Sequence, residues 1–175
     1  MSDPFELYFD QFKQTLIDCR DLYTQSGQLC VEQYPDLIPQ PPERFVRLMD
    51  DLHRGLLIKT FVSICEADRK WSHPERRLAQ ELFLHVWGKL IDGPDLREAI
   101  LNISAHAVTL KWLGLVRPFA EIAPLRERIG QLETIVVRLS NLTAKIDGKF
   151  NQSEANVLHS ICDEMNRHLR AIPFG

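Results

Sequence analysis

Apolar residues near the N-terminus fall at Phe5, Phe9, Phe12, Leu16, Cys19 and Tyr23, in alternating steps of four and three. That spacing lines one face of an α-helix and cannot line one face of a strand. The same period returns along the chain. Phe45, Leu48, Leu52, Leu56 and Phe61 carry it, then Leu78, Leu82, Val86 and Leu90, then Leu132, Ile135, Leu139 and Leu142. Strand alternation is nearly absent. The expected class is therefore all-α, a helical bundle of about seven helices.

Helix boundaries are marked by turn chemistry. Asp3-Pro4-Phe5-Glu6 has the features of a helix start: a cap, a proline at the first helical position and a glutamate that can reach back. Tyr34–Pro42 holds four prolines in nine residues and must end the first helix. Asp92–Asp95 reads as a turn ahead of a helix through Leu101 and Ala105. Thr109–Phe119 is expected to be a short, very apolar helix, with Trp112, Leu113, Leu115, Val116 and Phe119 central to the core. Pro118 and Pro124 bracket the start of the next helix, and a last helix is expected over Ser153–Leu169. The layout implied is one domain over 1–175, with an N-terminal helix and proline-rich connection (1–42) joined to a core of paired helices (43–175).

The 175 residues suffice for one sizeable core, and 45% hydrophobic with 26% charged residues is ordinary globular composition. A formal charge of −3 supplies no global attraction to nucleic acid or anionic membranes, so nucleic acid is not the expected partner. No run approaches the ~18 apolar residues of a membrane span. The acidic, aromatic start MSDPFELYFD lacks the basic region of a secretory signal. Cys19, Cys30, Cys65 and Cys162 form no C-x-x-C pair and read as reduced thiols, which places the chain in the cytoplasm.

Two charged corners interrupt the helical pattern, and they match each other. Asp68 and Asp147 stand 79 residues apart. At the same offset Lys70 falls on Lys149, Trp71 on Phe150, Ser72 on Asn151 and Glu75 on Glu154. The flanking apolar positions keep register: Leu56 with Ile135, Leu57 with Val136, Ala67 with Ile146, Leu78 with Val157, Leu82 with Ile161, Val86 with Met165 and Leu90 with Leu169. This implies two copies of a helix–corner–helix unit related by a pseudo-twofold axis. Most repeated residues have folding roles. Ser72 and Asn151 are good N-caps, and Glu75 and Glu154 stand where a glutamate completes a capping box. Trp71 and Phe150 are placed to staple the chain to the following helix.

The strings IDGKFNQSEANVL and EADRKWSHPERRLA resemble the twice-repeated acidic-glycine corner signature of TerB-like domains, over about residues 45–170. Those are all-helical modules of tellurite-resistance proteins, related to a module in some membrane-anchored DnaJ-type co-chaperones. The resemblance implies a non-enzymatic protein-interaction or regulatory module in stress responses, with proposed metal binding. The positions matching the family's acidic residues are Asp68, Glu75, Asp147 and Glu154. They would be the ligands if the chain binds a divalent metal ion, the one cofactor the resemblance implies. The first corner departs from the signature, with Arg69 in place of glycine. Neither corner is an EF-hand: counted from Asp147, position six is Gln152 and position twelve is Leu158.

Two further sites compete with metal. Arg69, Lys70, Arg76 and Arg77 bring the first corner to a net +1 beside a helix start, where an anion, a nucleic acid or an acidic partner could dock. The seam Phe5, Phe9, Phe12 and Leu16 reads first as core, with a partner-binding or self-associating helix as the alternative. The expected partner is another protein or another region of a longer chain. Phosphate-loop, dinucleotide, serine-hydrolase and zinc-protease motifs are absent, and the six histidines form no tight cluster in sequence. His159 and Cys162, one helical turn apart, read as packing rather than a thiolate–imidazole couple.

Overall fold

The computed structural model describes residues 4–68, 71–146 and 152–170. Among them are seven α-helices and no strand: α1 (Pro4–Gln33), α2 (Pro42–Cys65), α3 (His73–Trp87), α4 (Gly93–Thr109), α5 (Trp112–Glu121), α6 (Ile129–Lys145) and α7 (Gln152–Arg170). Short 3-10 turns at Pro35–Leu37, Glu66–Asp68 and Ala123–Arg128 join them. The all-α expectation holds.

α2 is the central helix. Burial along it is nearly continuous from Gly55 to Cys65, as expected of a helix surrounded on most sides. α1 lies along α2, α6 and α3, while α4, α5, α6 and α7 also touch α2. The approach of α5 depends on Gly55, where a Cβ would stand 2.6 Å from Leu115 Cδ2. Tyr23 anchors α1 to α5 by donating its hydroxyl to the Leu115 carbonyl at 2.8 Å, with its ring edge-on to Phe119 at 4.9 Å. The buried hydroxyls of Thr15, Ser140 and Thr143 donate to carbonyls one turn back, on Gln11, Val136 and Leu139. Their polarity is thus satisfied inside their own helices.

Phe12 and Leu16 are fully buried in the chain's own core, beside Cys19, Tyr23 and Cys30. This corrects the partner-helix alternative at those two positions: neither side chain can reach a second molecule without opening the core. Phe5 and Phe9 are half-buried against the same core. Two apolar expectations fail for identifiable reasons. Gly88, at φ 70°, caps α3 in the left-handed conformation, so the helix ends at Trp87 and Leu90 lies outside it, 71% exposed. In α5, Leu115, Val116 and Phe119 are buried, but Trp112 and Leu113, at its solvent-near start, are half-buried. Pro118 sits inside α5 rather than before the next helix. The carbonyl it leaves without a helical donor belongs to exposed Gly114, where water can bond it.

Residues matched between the two helix pairs share burial at Leu56 and Ile135, Leu57 and Val136, Leu82 and Ile161, and Val86 and Met165. The surroundings of the pairs differ. α3 packs on α1 and α2, whereas α7 packs on α5, α6 and α2. These contacts do not define a twofold axis. Cys19, Cys30 and Cys65 are buried, Cys162 is half-buried, and none of the four forms a disulfide.

Candidate functional site: the first corner and its groove with α4

Ser72 is extended (φ −69°, ψ 163°) and caps α3. Its Oγ accepts from the Glu75 amide at 3.2 Å, and Glu75 Oε1 accepts from the Ser72 amide at 2.9 Å. The expected capping box is present, and it buries Glu75 to 4% exposure. Glu154, the matched residue, is the third residue of α7 and is 3% exposed. The Asp68 side chain, Arg69, Lys70, Asp147, Phe150 and Asn151 lie outside the described residues. Among those described, no group of three or more His, Cys, Asp or Glu residues is close enough to hold a metal ion.

Trp71 packs back onto α2 and the preceding turn. Its ring packs edge-on against Phe61 of α2 at 5.5 Å, and its Nε1 donates to Glu66 Oε1 at 3.2 Å. The same oxygen accepts from Ser104 Oγ of α4 at 2.8 Å. Glu66 therefore ties the corner to α4. Between them runs a groove of about 690 Å³, with Trp71, Leu96, Ile100 and Leu101 as its apolar wall and Arg76 and Arg97 among its polar lining.

The arginines expected to act together are separated. Arg76 lines the groove, whereas Arg77 lies over the Phe9 ring of α1, 5.5 Å from its centroid. Lys13 lies over the same ring at 5.6 Å, and Phe5 stacks on it at 5.7 Å. Phe9 is thus engaged within the chain. Arg97, absent from the sequence-based site, joins Arg76 from α4. Neither makes an ion pair among the described residues, and both are exposed. By contrast, the groove of about 560 Å³ between α1 and α6 has its Arg138 already bound to Asp18 at 3.3 Å.

α4 is apolar on two faces. Ile100, Ile103 and Ala107 face the core, whereas Leu101 and Val108 on the outer side are 67% and 73% exposed. No single described helix is long and apolar enough to cross a membrane, and α4 and α5, which meet that test only together, bend by 55° between them.

A second constellation was hidden in the sequence. His53, 1% exposed, meets His85 across α2 and α3, with Nε2 to Nε2 at 3.0 Å. His53 Nδ1 contacts the Asp50 carbonyl and stands 3.3 Å from Asp50 Oδ1. Two acceptors beside Nδ1 place the proton there, so His53 Nε2 accepts and His85 Nε2 donates. Burial lowers the His53 pKa to about 4, against the pull of Asp50, with His85 and Arg54 lowering it further. Burial also lowers His85, helped by Arg20 and Arg54 and opposed by Asp50. The available signal was register: His53 stands four residues after Met49 and eight after Phe45, on the buried stripe of α2. His159 and Cys162 make no hydrogen bond to each other, and burial raises the Cys162 thiol, with Asp163 and Glu133 adding to the shift.

No family model, curated protein or solved structure matches the chain.

Proposed function

We propose that this chain is a non-enzymatic, TerB-like protein-interaction module, regulating or scaffolding a larger stress-response or membrane-associated assembly. The observation that carries the interaction reading is α4, whose outer face presents Leu101 and Val108 to solvent while its inner face already packs on α2. A helix apolar on both faces matches a position covered on both sides. Support for the TerB-like part comes from the paired corners. Each places a buried glutamate, Glu75 or Glu154, at the third residue of the helix that follows.

A photo-crosslinking residue in place of Leu101 or Val108, in cells producing the full chain, tests this reading. The expected result is one recurrent protein crosslinked there and not from Thr134 on the exposed side of α6, and that protein, once purified, binding the chain saturably. If no crosslinked protein binds saturably, the reading is wrong. Calcium, magnesium or zinc titration followed by NMR separates it from a metal sensor, for which Glu75 and Glu154 would have to shift.

A further inference from the structure

We propose that the groove between the first corner and α4 receives an acidic segment of the partner protein, its carboxylates on Arg76 and Arg97 and an apolar side chain against Trp71, Ile100 and Leu101. The inference rests on the interaction-module reading and names the chemistry of its partner. Three independent features point the same way. Arg76 and Arg97 arrive from different helices, line one groove and have no ion-pair partner among the described residues. An exposed guanidinium is suited to bidentate carboxylate binding.

The second feature is the start of α4. Gly93 and Pro94 line the groove, and the N-cap Asp92 makes no side-chain cap bond. Pro94 has no N–H and the Leu96 amide bonds the Asp92 carbonyl, so the uncapped amides at the positive end of the helix are those of Gly93 and Asp95. Asp92 and Asp95 stand on that turn but do not line the groove. Glu66, which does, spends Oε1 on Trp71 and Ser104. The third feature is the apolar wall. Trp71 is held by Phe61 and Glu66, so its ring is a fixed platform beside Ile100 and Leu101. Rigid aromatic surface next to arginine is the composition of an interface hot spot.

These features favour a protein over the other occupants. A nucleic-acid strand is held by a run of cations along its phosphates, whereas this groove offers two arginines beside an apolar wall. A second copy pairing antiparallel through α4 would bring His106 and Lys111 toward Arg97, because α4 has no acidic residue after Glu98. An apolar-acidic segment satisfies both halves of the groove.

The test is selection of a random twelve-residue peptide library on the immobilised full chain at low salt, followed by affinity measurement in solution. Selected peptides are expected to be rich in Asp and Glu around one aromatic or aliphatic anchor. Their binding should move the Trp71 indole and the Arg76 and Arg97 side-chain NMR signals, and should weaken at least about tenfold in the Arg76→Glu/Arg97→Glu double variant. Both substitutions put negative charge near a helix N-terminus, so the variant should keep the wild-type melting temperature. A Trp71→Leu variant gives a second, uncharged probe of the apolar half. Selection without acidic enrichment, or binding indifferent to these substitutions, overturns the proposal. So does tighter binding of a single-stranded oligonucleotide of equal charge, or self-association in sedimentation that the double variant abolishes. A crosslinked partner whose affinity ignores the double variant refutes the groove but leaves the interaction module standing; no saturable partner removes both.

Discussion

At the scale of single residues, the geometry of the first corner assigns jobs to Glu66, Trp71, Ser72 and Glu75. Ser72 and Glu75 satisfy each other's amides, so Ser72→Ala should cost about 1 kcal/mol of stability. Chemical denaturation would show it as a lower midpoint at unchanged slope. The His53–His85 pair has a pH signature. His53 folds with a pKa near 4, below the ~6.5 of the unfolded chain, so the unfolded state binds more protons below pH 6.5. Stability is complete above that value and declines by up to about 1.4 kcal/mol per unit as pH falls toward 4. His85 adds in the same direction. Urea midpoints between pH 7.5 and 5, where carboxylates titrate little, should reveal the slope, and His53→Leu should remove most of it. An unchanged slope in that variant would place the proton uptake elsewhere. The capping box was legible because it is local, three residues apart. The histidine pair was not, because its members are 32 residues apart and only the packing of α2 on α3 joins them. Arg97 escaped for the same reason: it reaches the corner only through the path of α4.

At the scale of elements, periodicity located α1, α2, α3 and α6, while turn chemistry, an apolar run and the second corner located α4, α5 and α7; each buries a face in a common core. These signals placed Leu90 and Pro118 less well. Both differences come from local backbone chemistry: a left-handed glycine cap ends α3 in one case, and in the other the bond that Pro118 cannot make falls on exposed Gly114, so α5 runs through the proline. Element-to-element contacts were not legible, and the Tyr23 hydroxyl shows why they matter. It joins α1 to α5 across 92 residues of sequence. Tyr23→Phe removes the donor and leaves the Leu115 carbonyl, on a residue 5% exposed, without it. The expected loss is about 1–2 kcal/mol, read as a lower melting temperature. Native-state hydrogen exchange should show faster opening of α5 amides. A variant as stable as the parent would mean that water reaches that carbonyl.

At the scale of the whole molecule, the question is whether α1 is an appendage or part of the domain. The resemblance to paired-corner modules begins at about residue 45 and leaves α1 outside. The packing puts it inside: Phe12, Leu16, Cys19, Tyr23 and Cys30 are essentially buried, against α2, α6 and α3. Burying a large apolar side chain contributes about 1.5–3 kcal/mol. Losing Phe12, Leu16 and Tyr23 together therefore costs an amount comparable with the ~5–15 kcal/mol that holds a typical domain folded. It would also uncover the α1-facing sides of α2 and α6, an apolar surface larger than soluble monomers tolerate. A chain reduced to residues 43–175 should lose the cooperative thermal transition of the full chain, bind a hydrophobic dye and aggregate. Adding a peptide of residues 1–33 should restore helicity and sharpen the transition, because it supplies the missing face in trans. If 43–175 instead melts cooperatively as a monomer, α1 is dispensable for folding. Its seam would then reach a partner only by undocking from α2 and α6, since Phe12 and Leu16 are buried in the full chain.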